Sequence, residues 1–479
     1  MKQNRNALRG GAYSLIVTAV VLAMLIVINI LAGALPDNLT KYDISSSKLY
    51  SITSNTKAVV NGLDKDVTIY WIVQADKEDP VIENLLNKYD SLSDHIQVVK
   101  KNPDVYPTFA KNYTDETVAN NSLVVESGER SRFISYDDIY VKEADVYSYS
   151  YNTSFDGEGA ITSAIDYVVN EEQPKMYLLE GHGEKELPAS FKEQIEKENI
   201  QLDQLSLLNV DSVPEDADGI MIYGPSSDIS EAEKEILSSY TKNGGKLFVA
   251  AGPVKEGSLV NLHGLIEEYG VTAEEGVVVE GDREHYALQT PYALLPEMES
   301  SSITDPLIEE HYYPILPLVE GLKVDETEAA GRVTTLLSTT AEAFSKTAGY
   351  NLSTYEKEEG DIDGPFAAAV SIACENDGQI LWFGSSDFLE DMYNALSSGA
   401  NNNLGMNAIS SMIGQSEAMA IRSKSLNYNY LTISDSTSAM LQAMMIGIFP
   451  LIYLGIGICV VMRLSLIHIS EPTRRVVIS

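Results

Sequence analysis

Cysteine is almost absent: two in 479 residues, Cys374 and Cys459. Cys459 falls in a charge-free apolar run and Cys374 in the polar body, so the two are expected in different solvents and form no structural pair. That excludes a disulfide framework, a C-x-x-C redox pair and a zinc site built on two cysteines. Histidine is also scarce, with six residues. His95, His182, His263, His285 and His311 show no metal-ligand spacing. There is no G-x-S-x-G elbow, no Walker A lysine loop and no H-E-x-x-H. Cys374, within SIACEND, lacks a nucleophile setting and reads as a small buried residue. Basic residues are few as well, 33 against 70 acidic. Lys2, Arg5, Arg9, Arg463, Arg474, Arg475 and Glu471 lie outside 36–438, which leaves 27 basic against 69 acidic and a net charge of −42 there. Such a field repels nucleic acid and anionic headgroups. It suits cationic ligands, or simply solubility.

Two runs, 12–35 and 439–462, contain no charged residue. Each has the ~20 apolar residues that a membrane-spanning helix needs. Lys2, Arg5 and Arg9 before the first and Arg463 after the second predict both termini in the cytoplasm by the positive-inside bias. The expectation is therefore a two-pass protein of the cell membrane with a large extracytoplasmic body. A cleaved signal peptide ending near Ala32-Gly33-Ala34 is the alternative for the first run, and a buried core helix for the second. Leu464 to Arg475 reads LSLIHISEPTRR and resembles a translated transposase sequencing adapter. Residues 464–479 are therefore expected to be artefactual, and His468 is no ligand candidate.

The expected order is a cytoplasmic segment 1–11, a membrane helix 12–35, and a juxtamembrane segment plus small module over 36–145. A connector 146–172, rich in Tyr and Ser and helical from Gly159 to Val169, precedes an α/β domain over 173–416. A juxtamembrane segment 417–438, a second membrane helix 439–462 and a tail 463–479 complete it. In the small module, Lys57 to Leu63 reads as a short helix ended by Asn61-Gly62. Val67 to Val73 is a β-rich run, Val81 to Tyr89 has helical spacing, and His95 to Val99 is a second strand. Ser122 to Glu126 and Arg132 to Tyr136 form a hairpin. This order resembles a thioredoxin-like fold, with Gln74-Ala75-Asp76-Lys77 where its redox cysteines would be. The module is then a binding or packing unit.

From Pro174 the pattern alternates strand and helix. Lys175 to Leu179, Leu205 to Leu208, Gly219 to Tyr223 and Lys246 to Ala251 are strands, with a helix over Ala189 to Glu198. Ser230 and Glu233 have capping-box spacing, so a helix starts there, and Gly244-Gly245 stops it. Helix-length connectors imply parallel pairing with right-handed crossovers. The middle, 253–375, is punctuated by prolines and an acidic run, 356–363, which reads as a solvated loop because calcium-loop spacing is missing. Phe366 to Ala373 and Gln379 to Phe383 are strands, followed by a helix near Asn402 to Ile413.

In open parallel sheets, ligands bind beyond the carboxyl ends of the strands. Three segments fall there: EGHGE at 180–184, GPSSD at 224–228 and GSSD at 384–387. His182 and Glu184 offer proton transfer; Ser226, Ser227, Asp228, Ser385, Ser386 and Asp387 offer hydrogen bonds to a polyol, sugar or peptide. The competing reading is that these are turns and helix caps, where the same residues are favoured. No catalytic residue, cofactor or metal is expected.

YDISSSKLYSITSNTKAVVNGL (42–63), PKMYLLEGHGEKEL (174–187), the segment 223–253, ILWFGSSDFLED (380–391) and IRSKSLNYNYLTI (421–433) together resemble GldG-type auxiliary components of ABC transporters, first associated with gliding motility. The resemblance covers most of 40–462. It implies a membrane-anchored, extracytoplasmic partner of a permease and an ATP-binding subunit, and a flavodoxin- or glutamine-amidotransferase-like sheet. The amidotransferase nucleophile is missing at the matching turn. The expected function is a non-enzymatic accessory subunit for substrate binding or envelope coupling. A glycan-binding or glycan-processing protein using the 180–184 loop, and a transporter-independent structural or adhesion protein, are the alternatives.

Overall fold

The structure, a computed structural model, describes residues 19–24, 26–27, 52–145, 150–325, 327–329, 331–414, 424–425 and 444–458. The chain divides into two compact units, Met1–Leu426 and Asn427–Ser479. The first unit is mixed α/β and holds two main sheets.

The smaller sheet contains β1 (Val67–Ile72), β2 (Ile96–Lys101), β3 (Ser122–Ser127) and β4 (Arg130–Ile134), in the order β2-β1-β3-β4. β1 runs parallel to β2 and antiparallel to β3, and β3 and β4 form a hairpin. Two helices cover it. α1 (Ser54–Asn61) begins at Thr53, whose hydroxyl accepts from the Thr56 N–H, so this helix starts earlier than Lys57. In α2 (Pro80–Leu92), Asp79 caps the N-terminus by accepting from Val81 and Ile82, and Pro80 occupies the first turn, where its missing N–H costs nothing. Ile82, Leu85, Leu86 and Tyr89 of α2 are buried. They pack in one core with Ile69 and Trp71 of β1 and with Ile161 and Ile165 of α3 (Gly157–Val169). Between β4 and α3 lies a hairpin, β5 (Tyr140–Asp145) and β6 (Ser150–Phe155).

The larger sheet carries β7 (Lys175–Leu179), β8 (Gln201–Leu205), β9 (Gly219–Tyr223), β10 (Lys246–Ala250), β11 (Val271–Ala273), β12 (Leu322–Val324), β13 (Val333–Ser338), β14 (Ala367–Ala373) and β15 (Gln379–Phe383). Its main order is β11-β12-β14-β15-β10-β9-β7-β8, with β13 on β14. Five neighbours, β15, β10, β9, β7 and β8, are parallel; β14 joins β15 antiparallel. Side chains alternate between faces, as a strand requires. Ile220, Ile222, Leu247, Val249, Ile380 and Trp382 enter one core. Met221, Tyr223, Phe248, Ala250, Leu381 and Phe383 enter the other. Strands buried on both faces read as unbroken apolar runs, which is why these three were legible. α4 (Ala189–Lys197) and α7 (Ala400–Met412) cover the second face with Phe191, Ile195 and Leu404. α5 (Glu231–Lys242) and α6 (Val260–Glu267) cover the first with Leu237 and Leu262.

β8 lies four residues earlier than the apolar run 205–208 suggests. As the outer strand of the sheet it reads QLDQL, with three of five side chains exposed. Leu207–Asn209 is instead a turn of 3-10 helix.

The two-pass arrangement is not supported. Among the described residues no helix is long and apolar enough to cross a membrane. In the second apolar run the described helical stretch is 444–458. In the first run only 19–24 and 26–27 are described. The expected localisation and the anchored, extracytoplasmic body fall with the spans. The rest of 1–51, Cys459 and the 464–479 tail lie outside the described residues.

Candidate functional site

Numbering only the parallel strands in chain order, their sequence across the sheet is 2-1-3-4-5, and the order reverses between β7 and β9. The crevice beyond the carboxyl ends at such a switch point is where open α/β sheets take ligands. The loop after β7 holds 180–184 and the loop after β9 holds 224–228, so both line that crevice.

His182 is 5% exposed and its ring is held from both sides. Nδ1 lies 3.0 Å from Glu184 Oε1 and Nε2 lies 3.2 Å from Glu233 Oε2. An imidazolium donates to both carboxylates, whereas a neutral ring donates to one. Glu184 also accepts the backbone N–H groups of Gly181 and His182, which closes the loop on itself. Glu233, 2% exposed, completes the capping box of α5 with Ser230, as the spacing predicts. Burial pushes the Glu233 carboxyl up, but hydrogen bonds from the Ser230 backbone, its hydroxyl and the His182 ring outweigh that and hold it below the usual carboxylate range.

The His182 carbonyl joins the two loops. It accepts the N–H groups of Ser226 and Ser227, each at 3.0 Å, and their hydroxyls at 3.3 and 3.0 Å. Gly183 sits at φ +70°, and a Cβ there would lie 2.1 Å from Ser226 Oγ, so only glycine allows this approach. Asp228 turns away and caps α6, accepting from Asn261 N at 2.8 Å and Leu262 N at 3.0 Å. Ser385 is fully buried and donates to the Pro317 carbonyl at 2.5 Å. Ser386 donates to Asp387.

Lys185, which the sequence reading did not single out, brings in the third loop. Its ammonium hydrogen-bonds Asp387 and lies 3.6 Å from Glu390. The one sequence signal for it was a lone cation in the acidic run GEKE. His182, Glu184, Ser226 and Ser227 therefore form one cluster, Lys185 and Asp387 a bridge beside it, and Asp228 and Ser385 local braces. Among the described residues no group of three or more His, Cys, Asp or Glu is placed to hold a metal ion.

A cleft of about 1670 Å³ opens beside this cluster, along β8 and α4 and facing β4. Glu180, Gly183 and Lys185 of the loop after β7, Leu202 of β8 and Arg132 of β4 are among its lining residues. Arg132 reaches Asn199 across the gap between the two sheets. Asn199 also donates to the Ser163 carbonyl and to Asp166 of α3. At this junction burial pushes the Glu198 carboxyl up to about 7; Asp156 and Asp166 add to the rise and Lys197 opposes it.

Residues 173–412, half of the chain, match the family described as an ABC-type uncharacterized transport system, and the protein belongs to that family. Residues 46–142 match a domain of unknown function, DUF7088. No curated protein matches. Among solved structures the chain is similar to the mmIFT52 N-terminal domain, with 16% identity over 50% of this chain and 97% of that one, at a TM-score of 0.37. A putative GMP synthase component from Thermoplasma acidophilum shows 11% identity over 51% and 96%, at a TM-score of 0.30. PurLQS from Thermotoga maritima shows 10% identity over 50% and 100%, at a TM-score of 0.28. At such scores these likenesses carry no argument about fold or activity. Family membership assigns the protein an accessory, transport-related role alongside an ABC transporter.

Proposed function

We propose that the chain is a non-enzymatic accessory subunit that binds the permease and ATP-binding subunit of a bacterial ABC transporter, and that its body binds the transported substrate. Family membership supports the association. The observation that carries the non-enzymatic reading is the mutual engagement of the candidate groups: both ring nitrogens of His182 face carboxylates, and the Ser226 and Ser227 hydroxyls donate to one carbonyl. No nucleophile in that cluster stands beside a free base. Substrate binding falls to the adjacent cleft, large enough for a peptide or a short glycan. Residues 36–145, read as a thioredoxin-like module without cysteines, and 173–416 are the two working parts.

Affinity purification of the full chain from detergent extracts, with mass spectrometry of what accompanies it, tests the reading. An ABC ATPase and a permease recovered in fixed ratio support it. Recovery of the protein alone, from cells that contain those subunits, overturns it. ATP hydrolysis by the purified chain would also count against it.

A further inference from the structure

At the carboxyl ends of β1 and β2, on the other sheet, lies a second cavity of about 430 Å³. That volume falls within the range of small-molecule sites, roughly 300–1000 Å³. It is also the edge of a parallel strand pair where an α/β sheet takes ligands. Tyr106, Pro107, Phe109, Gln74 and Asn120 are among its lining residues. The two amides fix each other: Asn120 Nδ2 donates to Gln74 Oε1 at 3.0 Å, and Asn120 Oδ1 accepts the Gln74 N–H at 2.9 Å.

Lys101, the last residue of β2, projects its ammonium into this aromatic wall. Nζ lies 5.3, 5.1 and 5.1 Å from the ring centroids of Tyr70, Tyr106 and Phe109. Among the described residues no carboxylate forms an ion pair with it. Its neighbour Lys100, by contrast, pairs with Glu78 and Glu83. Two carboxylates near the aromatic cluster are engaged elsewhere: Glu126 accepts from the Tyr70 and Tyr113 hydroxyls, and Asp104 accepts from Gln74 Nε2 at 2.8 Å. Lys111 also lines the cavity, against Glu116 as the one carboxylate among the lining residues. In a body carrying so large an excess of acid, two lysines against one carboxylate among the lining residues, with ring-shaped walls, set this hollow apart.

We propose that this cavity binds a small carboxylate with a flat, ring-shaped body, an aromatic acid. The carboxylate hydrogen-bonds Lys101, and the ring stacks on Tyr106 and Phe109. A charge-assisted hydrogen bond supplies the preference for the anion, and the aromatic face supplies contact area for the body. The site is independent of the crevice on the larger sheet and of the transporter partnership.

The test is calorimetric titration of the full chain with 2-naphthoate and its uncharged isostere 2-naphthamide, at neutral pH and low salt. Naphthoate is expected to bind about tenfold tighter, the factor that a charge-assisted bond of roughly 1.4 kcal/mol supplies. Lys101→Gln should erase that preference and leave naphthamide binding unchanged, while Lys101→Arg keeps it. Tyr106→Ala should weaken both. Circular dichroism and the melting temperature check that each variant is folded. Equal affinity for the two probes, a preference that survives Lys101→Gln, or no naphthoate binding in the millimolar range overturns the proposal.

Discussion

The ends of β7 and β9 and the ends of β1 and β2 occupy equivalent places on their sheets, yet they treat polar groups in opposite ways. At β7 and β9, every residue that looks chemically capable in the sequence is tied to its neighbours. His182 has a carboxylate at each nitrogen, and its carbonyl draws in two serines. At β1 and β2 the sequence shows no motif at all, and the structure leaves an ammonium among aromatic rings without an ion-pair partner among the described residues. A motif rich in His, Glu, Ser and Gly marks a loop that needs many hydrogen bonds to hold its shape. A ligand needs groups that are still available. The two demands select different residues.

Variants can sharpen this contrast. The largest effect is expected at His182, where His182→Ala leaves the buried Glu233 and the partly buried Glu184 without their shared partner. It should destabilise the protein by about 2 kcal/mol in urea unfolding, since leaving a buried hydrogen-bonding group without its partner typically costs about 1–3 kcal/mol. Destabilisation of under about 1 kcal/mol would show that the cluster is not a brace. Gly183→Ala should cost a similar amount, about 2 kcal/mol, because it forces a left-handed residue with a Cβ against Ser226 Oγ.

Acid gives an independent view of the same cluster. The Glu233 carboxyl is held below its ordinary value, 4.5, so its contribution to stability is present above that value and is lost as pH falls through the folded-state value. Glu233→Gln should flatten the acid limb of the stability curve. An unchanged limb would refute the assignment.

Glu198, between the two regions, has the opposite sign. Its folded value of about 7 exceeds the ordinary 4.5, so the folded form holds the proton better, and stability is lost as pH rises through that interval. Glu198→Gln should therefore stabilise the chain by about 1–2 kcal/mol above neutral pH and do nothing in mild acid. A gain that persists in acid would point to packing instead. The smallest effects are expected for Lys185→Ala and Tyr106→Ala, each under about 1 kcal/mol, because half-exposed ion pairs and rim aromatics contribute little to stability.

Much of the fold was legible because its strands are buried on both faces. GIMIY is a continuous apolar run, KLFVA and QILWF are apolar after one polar residue, and each forms a strand of the larger sheet. The Ser230–Glu233 spacing marked the start of α5 for a local reason: both groups of the capping box lie within one turn. β8 was misplaced because an outer strand need not be apolar. The middle region resisted reading because most of its strands are two or three residues long, as at Leu316–Pro317 and Ile362–Asp363. Such strands show no period. Asp228 resembled a ligand residue because nothing in GPSSD announces that it will cap a helix beginning 32 residues later at Val260. Lys101 was overlooked because its rings arrive from β1 and from the loop after β2, and only folding brings them together.

β8 has one more consequence, which concerns copies of the protein meeting each other. Its pairing with β7 uses the backbone of Gln201, Asp203 and Leu205, so the peptide groups of Leu202 and Gln204 face outward. Two molecules joining these edges antiparallel would set Leu202 opposite Gln204 and Asp203 opposite Asp203, in the closer, non-hydrogen-bonded kind of pair. Each Asp203 is bridged to Lys175, but Lys175 also serves Asp216, so the meeting edges remain net negative. A five-residue strand with an acid at its centre thus guards the sheet against edge-to-edge growth. High salt, or neutralising Asp203, should lower that guard and first appear as self-association in light scattering.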